Sequence, residues 1–262
     1  MRLDLYLKEN GLVRSRTQAV EWITDGRVRV NGVPAVKPAY PVEETDTVTV
    51  TPPDTVYVSR GAWKLQHALD TWHIDVTGLR VLDIGASTGG FTDCLLRHGA
   101  VHVYALDSGT GQLAPSLRAD ARVTDLENRN ARYMQPADFG SPCDMAVSDV
   151  SFISQTLILP QVPQVVRAGG LYIGLVKPQF ECGREALHKN GIVRDKKYRL
   201  AALTRVYDCM RENHMTPLYV ATSPITGGDG NVEFLLGAVC GYSNAALLAR
   251  EKLREAAYGN GK

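Results

Sequence analysis

Two lysines and two acidic residues occupy positions at which side chains can do chemistry. Lys177 directly follows the apolar residues 171–176, Asp149 ends a second short apolar run, Lys64 stands early in a helical pattern, and Glu233 opens a late strand pattern. Most lysines are solvated surface charges, so the setting of these two is more informative than their type. If the apolar runs form a doubly wound sheet, the carboxyl ends of its strands form the rim of the active site. The sequence therefore predicts a cluster of two amines and two carboxylates at that rim.

A glycine-rich turn follows the first strand of the predicted sheet. Residues 80–84 form a short apolar run that contains Asp83, and the turn Gly85-Ala86-Ser87-Thr88-Gly89-Gly90 then leads into a helix with Phe91 on its apolar side. We expect the glycines to let a ligand approach the backbone, because they lack a Cβ atom. The turn has neither the three spaced glycines of a dinucleotide fingerprint nor the lysine of a P-loop.

The acids around this turn favour a cationic nucleoside ligand. A carboxylate at Asp83 would repel a pyrophosphate but suits the ammonium group of S-adenosylmethionine. Asp107 ends the next strand, where it can accept hydrogen bonds from ribose hydroxyls, and residues 127–130 can meet the adenine edge. The predicted S-adenosylmethionine site comprises Asp83, Gly85, Ala86, Ser87, Thr88, Gly89, Gly90, Phe91, Asp107, Glu127, Asn130 and Asp149.

Apolar runs and helical patterns alternate through most of the chain. Strand patterns lie near residues 81–84, 101–106, 145–147, 171–176, 218–222 and 232–239, and helical patterns start at Gly90 and cover residues 152–166 and 198–213. Pro160 and Pro163 must bend or interrupt the helix over residues 152–166. The alternation predicts an α/β fold with a Rossmann-like, mostly parallel sheet. Turn residues between the last two strand patterns predict an antiparallel C-terminal hairpin at one edge.

A small α+β module precedes this sheet. Residues 13–23 have helical spacing with Ser15 as the predicted N-cap, residues 27–30 and 47–50 alternate as strands, and Asn31-Gly32 predicts a tight turn. Prolines and an acid then break the pattern. We predict an RNA-binding domain over residues 1–52, a linker over 53–59, a catalytic domain over 60–243 and a C-terminal helix or tail over 244–262.

Basic residues concentrate in the helix and first strand of this module, at Arg14, Arg16, Arg27 and Arg29. One basic face can neutralise RNA phosphates, although a solvated surface explains such a set equally well. With Arg2 near the start, the helix entry and residues 26–32 resemble the S4 RNA-binding domain over nearly the whole module. The resemblance implies that these five arginines bind structured RNA.

The four residues of the cluster, Lys64, Asp149, Lys177 and Glu233, resemble the Lys-Asp-Lys-Glu tetrad of FtsJ-like ribose 2′-O-methyltransferases. Residues 148–154 and 176–181 have similar contexts. Joined to an S4-like module, the chain from residue 1 to about residue 239 resembles the TlyA, or haemolysin A, family. The resemblance implies a partner in ribosomal RNA or a ribosomal subunit, where the 2′-hydroxyl of cytidine is methylated with S-adenosylmethionine as cofactor.

A ribose hydroxyl is a poor nucleophile that must lose its proton as the methyl group transfers. A lysine can accept that proton only as the neutral amine, which burial or a neighbouring cation favours. Under this hypothesis Lys177 is the general base and Lys64 positions the substrate and balances charge. Asp149 and Glu233 orient the two ammonium groups.

Composition narrows the function classes further. The formal net charge is +1, so RNA binding must come from local patches. Five scattered cysteines fit reduced thiols, and neither a signal peptide nor an apolar run of spanning length is visible, so we expect a cytoplasmic protein that does not insert into membranes. His98 and His102 have helical spacing, but Gly99 intervenes and no metal site is expected.

Three other functions are compatible with parts of the sequence. Residues 149–152 loosely resemble the acidic-aromatic motif of amino methyltransferases, which leaves both lysines and Glu233 unexplained. A membrane-lytic activity, suggested by the haemolysin name, lacks a spanning segment. A non-catalytic RNA-binding or ribosome-assembly factor would not need the tetrad.

Overall fold

The computed structural model describes residues 1–13, 15–52, 57–241 and 245–259. Arg14, one of the predicted RNA-binding residues, lies outside them. The chain divides into two compact units, residues 1–56 and 57–262. Among the helices of the described ranges, none has both the length and the apolarity needed to cross a bilayer.

The first unit is an α+β module with a three-stranded antiparallel sheet in the order β2-β1-β3. Its elements are α1 (Leu3–Glu9), α2 (Arg16–Thr24), β1 (Val28–Val30), β2 (Val33–Pro34) and β3 (Val48–Val50). Ser15 caps α2 as predicted, because its side chain accepts a hydrogen bond from the backbone N–H of Gln18 at 3.1 Å. The predicted turn at Asn31-Gly32 joins β1 to β2, and both residues have positive φ, as such hairpin turns require.

The second unit is built on a seven-stranded sheet. Its helices are α3 (Ala62–Trp72), α4 (Gly90–Arg97), α5 (Pro115–Arg118), α6 (Val162–Val165), α7 (Pro178–Glu181), α8 (Lys196–Glu212) and α9 (Arg250–Tyr258). Its strands are β4 (Arg80–Ile84), β5 (His102–Leu106), β6 (Val123–Leu126), β7 (Cys143–Ser148), β8 (Val166–Val176), β9 (Met215–Thr222) and β10 (Phe234–Cys240).

The strand order is β6-β5-β4-β7-β8-β10-β9, and β10 runs antiparallel to both of its neighbours. The other pairings are parallel, so the expected Rossmann-like sheet with an antiparallel C-terminal hairpin is confirmed. The chain moves outward from β4 to β6 and then returns to place β7 on the other side of β4. Such a reversal opens a crevice at the carboxyl ends of the strands.

Apolar side chains on both faces of the central strands bury the sheet. In β4, Val81 packs into the core that contains α3 and α4, and the next residue, Leu82, packs into the core that contains α8. Successive strand residues point to opposite faces, so an apolar run of this kind serves both cores at once.

The predicted helix over residues 152–166 is interrupted, as expected from Pro160 and Pro163, but its continuous helical part is shorter than predicted. The segment forms the 3₁₀ turns Gln155–Leu157 and Leu159–Gln161, then the single turn α6, and β8 begins at Val166. Pro160 and Pro163 lack the N–H groups that a continuous helix needs. The final strand begins at Phe234, two residues later than the predicted 232–239, so Glu233 lies directly before β10.

Candidate active site

The four chemical residues predicted from the sequence lie together in the second unit. Asp149 follows β7 and Lys177 follows β8, so both lie at the carboxyl rim of the sheet. Lys64 lies in the first turn of α3, and Glu233 reaches the same rim from the segment before the antiparallel β10.

The side chains form a chain of ion pairs in which Asp149 is shared. Lys177 Nζ lies 2.6 Å from Asp149 Oδ1, and Lys64 Nζ lies 3.9 Å from Asp149 Oδ2. Lys64 Nζ also donates a hydrogen bond to Glu233 Oε2 at 2.6 Å. Both lysines and Glu233 are buried, and two positive charges face two negative ones. Charged groups are seldom buried unless they are paired in this way.

Three residues beside Lys177 were missed by sequence reasoning as members of the site. Ser151 Oγ accepts a hydrogen bond from Lys177 Nζ at 2.9 Å, and the Phe180 ring centroid lies 5.9 Å from the same nitrogen. Phe152 is 92% exposed, has φ +61° and lies 5.2 Å from the Phe180 ring, centroid to centroid. A bulky residue at positive φ is uncommon outside functional sites, and sequence patterns do not reveal it.

A cleft in two adjoining parts surrounds this cluster. One part, of about 210 Å³, is lined by Lys64, Lys177 and the glycine-rich turn, and the other, of about 450 Å³, extends past Asp107 to Asn130. Gly85 and Asp149 line both parts. The lysines therefore lie at one end of a cleft large enough for a nucleoside.

Nine of the twelve predicted cofactor residues line this cleft, and Asp83, Gly89 and Glu127 do not. The nine are Gly85, Ala86, Ser87, Thr88, Gly90, Phe91, Asp107, Asn130 and Asp149. Asp107 accepts hydrogen bonds from the backbone N–H groups of Ser87 at 2.8 Å and Gly109 at 2.7 Å, so it also holds the turn.

Asp83 lies behind the turn rather than on the cleft surface. It is fully buried, and its Oδ2 accepts a hydrogen bond from Thr92 Oγ1 at 2.7 Å. Its Oδ1 has no hydrogen-bond partner among the described residues. Burial raises the pKa of Asp83 to about 7, and the nearby Asp149 and Asp107 charges act in the same direction.

Because the glycines of the turn lack a Cβ atom, neighbouring protein atoms, more than a ligand, can approach the backbone. A Cβ on Gly89, at φ +93°, would lie 2.2 Å from Leu117 Cδ1, and one on Gly90 would lie 2.3 Å from Ser59 Oγ. A Cβ on Gly85 would lie 2.9 Å from the carbonyl oxygen of Asp149. The expectation that these glycines mainly clear a path for the ligand is therefore revised, since each allows a close packing contact beside the cleft.

Glu127 stabilises the loop beyond β5. Its carboxylate accepts hydrogen bonds from the backbone N–H groups of Gly111, Gln112 and Leu113, at 2.5, 2.7 and 3.0 Å. The bonds from Leu113 and Gly111 lower the pKa of Glu127. Asn130, which was predicted with it, does line the cleft.

Comparison with known proteins identifies the family. Residues 57–239 match the FtsJ-like methyltransferase model, and residues 1–48 match the S4 domain model. The 16S/23S rRNA (cytidine-2′-O)-methyltransferase TlyA of Mycobacterium tuberculosis is 46% identical over 90% of this chain and 88% of its own length. The chain belongs to the TlyA family of FtsJ-like methyltransferases.

Two further relatives carry the name hemolysin. Hemolysin A of Brachyspira hyodysenteriae is 42% identical over 90% of this chain and 98% of its own length. A solved structure named as a hemolysin, from Streptococcus thermophilus, superposes with a TM-score of 0.79 at 38% identity and covers 98% of this chain and 94% of that one. The likeness therefore extends through both units.

The cofactor of this TlyA-family chain is S-adenosylmethionine, and the cleft fits it. Asp107 stands at the carboxyl end of β5, where a ribose-binding acid belongs. The cleft surface also carries Asn130 and the carboxylate of Asp149, whereas Asp83 is buried behind the turn and does not line the cleft. The described residues hold no group of three or more His, Cys, Asp or Glu side chains arranged for a metal ion.

Two of the predicted RNA-binding arginines form ion pairs in the first unit. Arg2 Nε lies 3.0 Å from Asp4 Oδ1, and the Nη2 atom of Arg16 lies 2.7 Å from Asp4 Oδ2. Asp4 is buried, and the hydrogen bond from Arg2 is the largest effect that lowers its pKa to about 2. Arg29 is exposed and donates to the carbonyl oxygen of Gly32 at 3.0 Å. Arg2 and Arg16 therefore stabilise the module whether or not they bind RNA.

Proposed function

We propose that this chain transfers a methyl group from S-adenosylmethionine to the 2′-hydroxyl of a cytidine in ribosomal RNA. The observation that carries the proposal is the carboxylate of Asp149 shared by Lys64 and Lys177 at the end of a nucleoside-sized cleft. The M. tuberculosis relative is named for this reaction on 16S and 23S rRNA.

Lys177 is the proposed general base. When bound, S-adenosylmethionine supplies an electrophilic methyl group, and the hydroxyl oxygen must lose its proton to accept it. Asp149 Oδ1 lies 2.6 Å from Lys177 Nζ, and Ser151 Oγ accepts a hydrogen bond from the same nitrogen at 2.9 Å, so both groups hold that nitrogen in place. In this proposal Lys177 reacts as the neutral amine and takes the hydroxyl proton.

Lys64 is the proposed positioning cation. Glu233 Oε2 lies 2.6 Å from its Nζ, and Asp149 Oδ2 lies 3.9 Å from the same nitrogen. In this proposal Lys64, held between these two carboxylates, orients the ribose oxygens while Lys177 takes the proton. Asp149 links the two lysines, so the distance between base and positioning group is fixed before substrate binds.

The S4 domain is the proposed RNA-docking part, with residues 1–52 as the RNA-binding domain, 53–59 as the linker, 60–243 as the catalytic domain and 244–262 as the tail. Arg27 and Arg29 lie at the start of its first strand and supply phosphate contacts. Arg2, Arg14 and Arg16 complete the proposed set. A ribosomal substrate would place the reaction in the cytoplasm.

Methyl transfer from labelled S-adenosylmethionine to each isolated, unmodified ribosomal subunit tests the proposal. We expect label in cytidine of one or both rRNAs, and nuclease digestion followed by nucleoside analysis should show it on the ribose. Label on a base, or none on either subunit, would contradict the proposal. Leakage of liposomes by the pure protein would instead favour the activity that the name hemolysin suggests for the B. hyodysenteriae relative.

A further inference from the structure

A buried carboxylate lies behind the Lys177 side of the cluster. Glu181 is the last residue of α7, four positions after Lys177, and is 3% exposed. Its Oε1 accepts a hydrogen bond from the backbone N–H of Gln155 at 2.8 Å, and its Oε2 accepts one from Ser154 Oγ at 2.5 Å. Both partners end the segment that begins with Asp149. Glu181 therefore connects the two segments that carry Asp149 and Lys177.

The side chain of Gln155 continues this connection into the sheet. Its Nε2 donates to Ser148 Oγ and to the carbonyl oxygen of Leu175, both at 3.1 Å. Its Oε1 accepts a hydrogen bond from the hydroxyl of Tyr172 at 2.6 Å. Ser148 directly precedes Asp149, and Leu175 lies two positions before Lys177. One buried network thus joins the ends of β7 and β8 just below the cluster.

The loop over residues 149–154 is consequently held at both of its ends. At its start, Asp149 follows β7, and at its end Ser154 and Gln155 are bound to Glu181. Between these ends Phe152 has φ +61°, a conformation that persists only where the surroundings enforce it. The loop also carries Ser151, which lies 2.9 Å from Lys177 Nζ.

We propose that Glu181 is a positioning residue whose carboxylate locks the 149–154 loop onto the turn that follows Lys177. Asp149 and Ser151 then meet the Lys177 amine at fixed distances. The effect on turnover rests on the proposed methyl transfer, whereas the effect on the loop does not. Glu181 touches neither the methyl donor nor the ribose in this account, so it acts through Lys177.

Steady-state kinetics of Glu181→Gln is the first test. Gln keeps the shape but loses the charge and can accept a hydrogen bond from only one of the two donors, since its amide N–H₂ faces the other, so the loop should shift. We expect kcat to fall by about 10- to 100-fold, as displacements of about 1 Å do, with the KM for RNA and the affinity for S-adenosylhomocysteine nearly unchanged. A general folding defect would change these parameters together.

Ser154→Ala and a matched pair of tyrosine-to-phenylalanine variants provide further tests. Ser154→Ala removes one of the two donors. In the double variant with Glu181→Gln, kcat should fall by less than the product of the two single effects, because both substitutions disturb the same contact. Tyr172→Phe removes a buried hydrogen bond within the network and should lower kcat. Tyr207 is as deeply buried as Tyr172, and Tyr207→Phe, which removes its hydrogen bond to the carbonyl oxygen of Leu248, should not lower kcat.

Hydrogen exchange of the peptide over residues 149–155 gives a readout that does not need turnover. Exchange there should be faster in Glu181→Gln and Ser154→Ala than in wild type, and unchanged in Tyr207→Phe. Unchanged exchange in the first two variants would overturn the proposal even if wild type proved inactive on RNA. If wild type is active, an unchanged kcat in Glu181→Gln would also overturn the proposal. If wild type is inactive but the variants show the expected faster exchange, only the proposed function is contradicted.

Discussion

Buried ammonium groups need charged partners, and the cluster supplies at least one for each lysine. Glu233 contacts Lys64, whereas Asp149 contacts both lysines. The two lysines therefore differ in their contacts: Lys64 has two carboxylates near it, whereas Lys177 meets Asp149 and the hydroxyl group of Ser151. This difference is the residue-level reason for proposing Lys177 as the base and Lys64 as the positioning cation.

The Lys64–Glu233 pair makes a stability prediction. Glu233→Ala should lower the free energy of unfolding by about 3 kcal/mol, because Lys64 then keeps a buried charge without its nearest partner. The double variant Lys64→Met/Glu233→Ala removes that charge and should recover part of the loss. Urea denaturation of the variants measures both effects. A double variant less stable than Glu233→Ala would show that the pair is not the source of the loss.

Asp83 makes a pH prediction. Its carboxyl group has a pKa of about 7 in the folded chain because of burial, against about 3.9 when unfolded. Between these values the folded state holds a proton that the unfolded state has released, so the stability contributed by this group falls as pH rises from about 4 to 7. The melting temperature of Asp83→Asn relative to wild type should therefore rise between pH 5 and pH 8. A difference that is constant with pH would contradict the shift.

Among the structural elements, the glycine-rich turn belongs both to the cofactor site and to the packed core. Gly89 and Gly90 allow Leu117 and Ser59 to approach the backbone, and Gly85 allows β7 to approach β4 where both strands end. The turn keeps its shape because these contacts are tight. The sequence pattern located the turn correctly, but the contacts come from residues about 25 to 65 positions away, which local patterns cannot reveal.

Gly89→Ala tests this packing against a matched control. Gly78 also has positive φ, +74°, but a Cβ there would meet nothing within 4 Å among the described residues. Both alanine variants incur the conformational cost of about 1–2 kcal/mol, and only Gly89→Ala adds overpacking of about 1–3 kcal/mol against Leu117. Chemical denaturation should show that excess, and Gly89→Ala alone should weaken binding of S-adenosylhomocysteine. Equal losses of stability would contradict the packing role.

Helices and strands could be predicted from the sequence where the apolar residues follow one clear pattern. β4, β5 and β7 follow from apolar runs, and the hairpin of β9 and β10 follows from the turn residues between them. In residues 152–166 the interruption was predictable from Pro160 and Pro163, but the split into two 3₁₀ turns and one helical turn was not, because the apolar spacing favours a helix. The loop that carries Ser151 and Phe152 owes its conformation to Glu181 and Gln155, which are partners from the tertiary structure.

Across the whole molecule, positive and negative charges nearly cancel, so any RNA-binding surface must come from a local group of basic residues. The first unit carries such a group, and its arginines have two different roles. Arg2 and Arg16 share the buried Asp4, whereas Arg29 donates to the backbone carbonyl oxygen of Gly32. The sequence pattern identified the basic set and the two-domain order, but it could not separate the arginines that pair with Asp4 from Arg29, because Asp4 resembles any surface acid in the sequence.

Arginine variants should separate these roles. Arg29→Ala should weaken RNA binding and reduce the slope of log affinity against log salt by about 0.7–0.9, with little change in melting temperature, because it removes one phosphate contact. Arg16→Ala should lower both RNA affinity and stability, since Asp4 loses a partner. Filter binding across a salt series and thermal melts measure these effects, with the exposed Arg254→Ala as control. An Arg29→Ala variant that binds as wild type would remove this residue from the interface.

The single-turnover rate of ribose methylation by Lys177→Arg tests most directly whether Lys177 is the general base. Arginine keeps a positive charge beside Asp149 but does not give up its proton, so it can hold the ion pair and cannot act as a base. We expect a rate lower by about 10²- to 10⁴-fold, the usual contribution of general base catalysis, with wild-type affinity for S-adenosylhomocysteine and RNA. A Lys177→Arg variant that methylates the ribose at nearly the wild-type rate would contradict that role.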